Sequence, residues 1–283
     1  MHRFLVFLAV LAGLVSAPAQ TAPDAAATDA PPTPAAQAAP ATGAPNENAQ
    51  KARALLDQMI QALGGAAYMN LQDMSQDGRT YSFYHGNPTG AGAVYWRFWK
   101  WPDKDRIELT KQRDWVIITN GDSGYEVTYK GAAPQDKDQL QDYLRRRQYS
   151  LEWVLRKWLK EPGIALFYDG PTVAERKQAE QVTIMNARNE SVSIAMDTTT
   201  HLPLQKTFTW RDPTDRQKNE EYEVYDNYKL IQGIMTPLSI SRGRNGDMMN
   251  QRFINTVKYN QNLPDSMFEA HSSFDPNAKP RKR

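Results

Sequence analysis

From Gly65 onward the chain keeps returning to one pattern: segments of about five to nine residues that alternate apolar and polar, separated by Gly, Pro, Asn or Asp. Successive side chains on a strand point to opposite faces, so this alternation predicts strands with one greasy and one wet side. Val94, Trp96 and Phe98 share one face of such a strand, and Ile107 and Leu109 share one face of the next. Tyr125, Val127 and Tyr129 alternate with Glu126, Thr128 and Lys130, and Val192, Ile194 and Met196 with Ser191, Ser193 and Ala195. Leu204, Phe208 and Trp210, then Tyr222 and Val224, then Met249, Phe253 and Val257 continue the series. The pattern predicts about ten or eleven strands in an antiparallel sheet covered on one face.

The period changes in two places. Ala52, Leu55, Leu56, Met59, Ile60 and Leu63 recur at three- and four-residue steps, which predicts a helix, and Gly64-Gly65 stops it. Near the middle, Leu140, Tyr143 and Leu144, then Leu151, Val154, Leu155, Trp158 and Leu159, predict a helical pair with Ser150 as the N-cap between them. Pro162-Gly163 ends that segment. The expected fold class is therefore α+β, mainly β. A strongly curved antiparallel sheet forms an incomplete barrel, and an N-terminal helix and a central helical pair serve as plug or lid, because open sheets of this width curl.

The ends of the chain set compartment and boundaries. Met1-His2-Arg3, an apolar run from Phe4 to Val15, and Ala17-Pro18-Ala19 read as a cleavable secretory signal peptide over 1–19. Residues 20–45, almost all Ala, Pro, Thr and Gln, read as a disordered linker. Residues 46–272 are expected to form a single β domain, and 273–283 a disordered basic tail. There is no cysteine in the chain, so the exported protein is expected in the periplasm without lipid anchor or disulfides.

Charge and motifs narrow the chemistry. The net charge of +2 vanishes once leader, linker and tail are set aside, leaving a neutral body with no electrostatic footprint for nucleic acid. Gly121-Asp122-Ser123-Gly124 matches the nucleophile tetrapeptide of trypsin-like proteases, yet only His2 and His85 precede it and neither has that family's setting. It reads as a hairpin turn. No histidine pair has metal-ligand spacing, and no glycine loop cradles phosphate. Asp136, Asp138 and Asp142 read as the start of a helix, and Glu220, Glu221, Glu223 and Asp226 as a solvated strand face. Arg145-Arg146-Arg147, with Lys157 and Lys160, gives the helical pair a basic side that could attract anionic lipid head groups or an acidic partner; a solvated helix face is the simpler reading. The expectation is no enzyme, no catalytic residue, no metal and no cofactor.

What stands out is the aromatic load, concentrated in Tyr95-Trp96-Arg97-Phe98-Trp99-Lys100-Trp101. A strand apolar on both sides must be covered on both, and any part left uncovered becomes an apolar cavity. The candidate wall of that cavity is Val94, Trp96, Phe98, Ile107, Leu109, Tyr125, Val127 and Tyr129.

A helix ending in Ala62-Leu63-Gly64-Gly65, strands broken by a helical pair, Asp197 to Pro203 before a strand, Gly233-Ile234-Met235-Thr236-Pro237 before another, and a closing Val257-Lys258-Tyr259-Asn260 with Phe268 complete the picture. Together they resemble the LolA/LolB-like superfamily, in particular the bacterial outer-membrane lipoprotein-sorting group. The resemblance implies an incomplete barrel whose helical lid encloses an apolar cavity, in a soluble periplasmic carrier of lipoprotein acyl chains or lipid. It implies cargo and envelope donor or acceptor proteins as partners, transient membrane contact, a monomer and no nucleic acid. Relatives that regulate envelope stress imply the alternative, a regulatory or scaffolding module that binds an envelope protein.

Overall fold

Apart from one two-residue strand that lies off the main path, sheet order follows chain order within each of two runs of strands, because within a run each strand is joined to the next by a short connection. The computed structural model describes residues 46–278; the leader, the Ala/Pro-rich linker and the last residues of the basic tail lie outside the described residues. Helices α1 (Glu47–Leu63) and α2 (Ala66–Met69) precede β1 (Asp73–Tyr84), which enters the middle of the sheet. The two-residue β2 (Asn87–Pro88) pairs only with β1. From there β3 (Ala93–Lys100), β4 (Lys104–Leu109), β5 (Trp115–Asn120), β6 (Ser123–Thr128) and β7 (Gly131–Pro134) step outward to one edge. Helices α3 (Lys137–Gln148) and α4 (Leu151–Arg156) carry the chain to the opposite edge, β8 (Ala165–Ala174). It then returns through β9 (Lys177–Met185), β10 (Ser191–Asp197), β11 (Pro203–Arg211), β12 (Lys218–Ile231) and β13 (Ile234–Arg244) to β14 (Asp247–Tyr259). The two runs meet where β14 pairs with β1.

The 14 strands form one antiparallel sheet that does not close. The count exceeds the expected ten or eleven because pieces as short as β2 and β7 hold too few residues to show a period. The sheet curls, and the helical pair shows by how much. Arg147 donates to the carbonyl of Gly121 in the β5–β6 turn at 2.6 Å, while the next residue, Gln148, donates to Glu190 in the β9–β10 turn at 2.9 Å. In a flat sheet nine inter-strand spacings would part those turns by roughly 43 Å. Two adjacent side chains span both only because the arms fold toward each other over α3.

Local chemistry explains the helix ends. Ser150 Oγ accepts from the Trp153 amide at 3.3 Å, as the N-cap reading expects, and Asp136 caps α3 by accepting from the Gln139 amide at 3.0 Å. Gly64 ends α1 at φ +127°, where a Cβ would stand 2.4 Å from the Gly233 carbonyl oxygen, so the stop needs glycine on two counts.

On the helix-bearing face, Leu56 and Met59 of α1, Val154 and Leu155 of α4, and Trp158 just after it have no exposed surface. They pack against Val182, Ile184, Val192, Ile194, Met196 and Phe208, and Tyr149 stacks on Phe208 with ring centroids 4.2 Å apart. These side chains make the main core of the described residues. The opposite face carries a smaller core, in which Leu263 and Phe268 cover Val116 and Ile118. Ser272 and Asp275 hydrogen-bond to Ala132 and Lys130 beside β7, at 3.1 and 2.7 Å, so chain order continues a few residues past the expected domain end. Among the described residues no helix is long and apolar enough to cross a membrane.

Candidate functional site

Strand register decides which of the eight candidate wall residues meet. Trp96 lies opposite Glu108, Phe98 opposite Arg106, Val116 opposite Val127, and Ile118 opposite both Arg106 and Tyr125. Directly paired residues share a face, so Val94, Trp96, Phe98, Tyr125 and Val127 stand on the face away from the helices. There Phe98 and Val127 pack on the Leu263–Phe268 cover, and Arg113 lies over the Trp96 ring at 5.1 Å. Tyr125 and Tyr129 are exposed. Ile107 pairs with Arg97, and Leu109 with Tyr95, which puts both on the opposite, helix-bearing face. The eight therefore do not form one wall. Alternation within a strand says which residues share a side, but nothing within the strand sets its phase against the next.

Ser123 closes the two-residue turn between β5 and β6, with Asn120 as its paired partner, which is the hairpin that the turn reading expects. His85 stands 3.5 Å from Asp247, the first residue of β14.

The helix-bearing face changes character toward the β11–β12 and β13–β14 turns, where it is charged. Glu221 and Glu223, expected on a solvated face, point inward: Glu221 is 2% exposed. Lys206, 1% exposed, reaches Glu223 at 2.8 Å, and Tyr225 donates to the same carboxylate at 2.7 Å. Burial pushes the Glu223 carboxyl up, but Lys206, with help from Tyr225 and Arg252, outweighs it and holds the pKa at about 2. Glu221 accepts from Trp210 Nε1 at 3.1 Å, Arg145 at 3.2 Å and Arg244 at 2.9 Å. Farther along the sheet, on β3 and β4, Arg97 grips Asp105 with two nitrogens, at 2.9 and 2.8 Å, and Tyr143 of α3 donates to that carboxylate at 3.1 Å. Burial lowers the Arg97 pKa, but Asp105 more than reverses this.

The arginine triplet of α3 is likewise not a solvated face. Arg145 and Arg146 turn toward the sheet and ion-pair with Asp142, and Arg147 reaches the β5–β6 turn, pairing with Asp122 at 2.8 Å. Asp142 sits mid-helix and takes Arg244 of β13 at 2.6 Å, so only Asp136 and Asp138 play the expected role at the helix start. These burials were hidden in the sequence because ion pairs form between strands and helices distant along the chain.

Beside the helical pair a groove of about 1270 Å³ opens between α3–α4 and the β9–β12 side of the sheet. Leu144, Tyr149, Trp153 and Trp210 supply its apolar surface. Arg145, Arg147, Lys157, Arg188, Arg211 and Lys218 outnumber the acids Asp122, Glu161 and Glu190 around it. Two cations lie directly on the indoles: Lys157 Nζ is 3.6 Å from the Trp153 ring and the Arg145 guanidinium 3.5 Å from Trp210. Trp153 and Trp210 were legible as part of the aromatic load, but their meeting was not, because it joins α4 to β11.

An open antiparallel sheet whose two edge strands, β7 and β8, are joined by a helical pair over one face defines the class as a curled, unclosed sheet with a helical cover. No protein-family model and no curated protein matches the sequence. Among solved structures, the chain is similar to a DUF1329 family protein from Desulfovibrio piger, with TM-score 0.54 and 12% identity over 78% of this chain and 97% of that one. It is similar to an outer-membrane lipoprotein-sorting protein domain from Vibrio parahaemolyticus, with TM-score 0.50 and 8% identity over 78% and 97%. A LolA superfamily protein from Nitrosomonas europaea aligns at TM-score 0.47 and 14% identity over 77% and 97%. At these identities the likeness is one of fold.

Proposed function

We propose that this protein is a periplasmic binding protein that carries the acyl chains of a lipid or lipoprotein and performs no chemistry on them. The observation that supports it is the groove beside the helical pair. At about 1270 Å³ it exceeds the usual size of small-molecule sites, and it presents indole faces beneath a basic rim. An acyl chain laid between Trp153 and Trp210, along the indole surface that Lys157 and Arg145 do not cover, gains about 0.8 kcal/mol per methylene removed from water, and the rim cations face an acidic headgroup. On this reading the carrier meets donor and acceptor proteins of the envelope and touches membranes only in passing. The lipoprotein-sorting fold of the Vibrio domain agrees with such cargo.

The test is mass spectrometry of the organic-soluble contents of protein purified from envelope extract. The expected result is a reproducible set of acyl-chain compounds near one per protein. Empty protein that also ignores acylated peptides would overturn the reading, and a stoichiometric protein partner without lipid would move it to a regulatory module of the same fold.

A further inference from the structure

One ionic cluster lies largely outside the groove. Asp142, in the middle of α3, is surrounded by four guanidinium groups: Arg145 and Arg146 from its own helix, Arg244 at 2.6 Å and Arg242 at 3.8 Å from β13. Glu221 is the second carboxylate of the cluster, shared between Arg145 and Arg244. Within ion-pair distance four positive charges thus meet two negative ones, an excess of two, while Glu223, already paired with Lys206, acts on Arg146 and Arg242 only from farther off. The donors are not exhausted either, since Nε of Arg145 and Nε of Arg244 are buried with no acceptor. Arg252, next on β14, adds a further cation with no carboxylate within ion-pair distance among the described residues.

We propose that this cage is a binding site for a phosphate group, which takes the place now held by the Asp142 carboxylate. A phosphate monoester carries about −1.5 to −2 charges at neutral pH, which matches the excess of two, whereas a single carboxylate does not. Guanidinium forks suit phosphate oxygens in paired hydrogen bonds, and a phosphate offers acceptors to the two idle Nε–H groups. The site is reachable without unfolding: the side chains of Arg146, Arg242, Asp142 and Arg244 keep 24%, 24%, 28% and 30% of their surface in solvent. Burial and the neighbouring guanidinium groups draw the pKa values of Arg146 and Arg242 down, the sign of a cluster short of negative charge. Because Asp142 is also what ties α3 to β13, a phosphate that displaces it loosens the helical pair from the sheet. The inference goes beyond the acyl-chain reading and stands without it, sharing only Arg145 and Trp210 with the groove.

The experiment is calorimetric titration of the full-length mature protein with inorganic phosphate, dihexanoyl phosphatidic acid and uncharged dihexanoylglycerol, in a chloride buffer. Inorganic phosphate is expected to bind, and phosphatidic acid at least tenfold more tightly than dihexanoylglycerol. Affinity for phosphatidic acid well above that for inorganic phosphate identifies a lipid headgroup as the source; equal affinity identifies free phosphate. Arg242→Gln is expected to weaken phosphate binding about tenfold, while Asp142→Asn tightens it several-fold by removing the competing carboxylate. A structural role alone would make both variants weaker or neutral. Should Arg242→Gln not fold, Arg242→Lys and Asp142→Asn carry the test. Absence of phosphate binding, or weaker binding by Asp142→Asn, overturns the proposal. Dihexanoylglycerol binding without phosphate binding overturns it while leaving the acyl-chain reading in place.

Discussion

Replacing Lys206 with methionine removes the cation that keeps Glu223 ionised inside the sheet. Lys206 is 1% exposed and its Nζ lies 2.8 Å from the Glu223 carboxylate, so water screens the pair little. The Glu223 pKa of about 2 lies roughly two units below an ordinary glutamate, which corresponds to about 3 kcal/mol of stabilisation at neutral pH. Breaking one side of such a buried pair costs about 3–5 kcal/mol, because the remaining charge is stranded. Urea unfolding at pH 7 is expected to show losses of that size for Lys206→Met and, separately, for Glu223→Gln. The double variant is expected to lose at least about 2 kcal/mol less than their sum, since it strands neither charge.

The pH dependence carries a sign. In the native protein the folded pKa lies below the unfolded one, so the contribution of Glu223 is complete above about pH 4.5 and is lost as pH falls toward 2. In Lys206→Met, burial acts on Glu223 without its main counterweight and pushes the carboxyl up. Acid then relieves the stranded charge, and the gap between variant and parent narrows as pH drops. A loss below about 1 kcal/mol at pH 7, additive single variants, or a gap that widens in acid would refute the reasoning.

Two further variants test the packing that seats the helices. Trp158→Ala deletes a side chain with no exposed surface, packed on Tyr149 at 5.4 Å, and is expected to cost about 3–5 kcal/mol in urea unfolding. Gly64→Ala is expected to cost more than about 1 kcal/mol, and more than Gly65→Ala, by the same assay. Its new Cβ meets backbone, the Gly233 carbonyl oxygen at 2.4 Å, whereas that of Gly65 meets the movable end of Gln61 at 2.8 Å.

What could be read in the sequence was whatever a single segment decides for itself. The α1 stripe, the Gly64 stop, the Ser150 cap and the β5–β6 turn depend on neighbours within a few residues, and each is found where expected. The relation between segments was less legible. Val94, Trp96 and Phe98 lie on one face and Ile107 and Leu109 on the other, because cross-strand register is not written in either strand alone. Glu221 and Glu223 alternate with Tyr222 and Val224 just as a solvated face does, and only Arg244 and Lys206, on adjacent strands, turn that face inward. The groove depends on the curl that brings Trp153 of α4 and Trp210 of β11 to its two sides, and no local pattern reports curl.

The central claim is that the apolar part of the cargo lies between Trp153 and Trp210. Titrating the protein with lipids brominated along the acyl chain, which quench tryptophan on contact, tests it directly. Trp153→Phe and Trp210→Phe serve as controls. The account predicts saturable quenching that falls sharply in each single variant and nearly disappears in the double. Quenching that survives in the double variant, or none in the parent while lipid is bound, would contradict it.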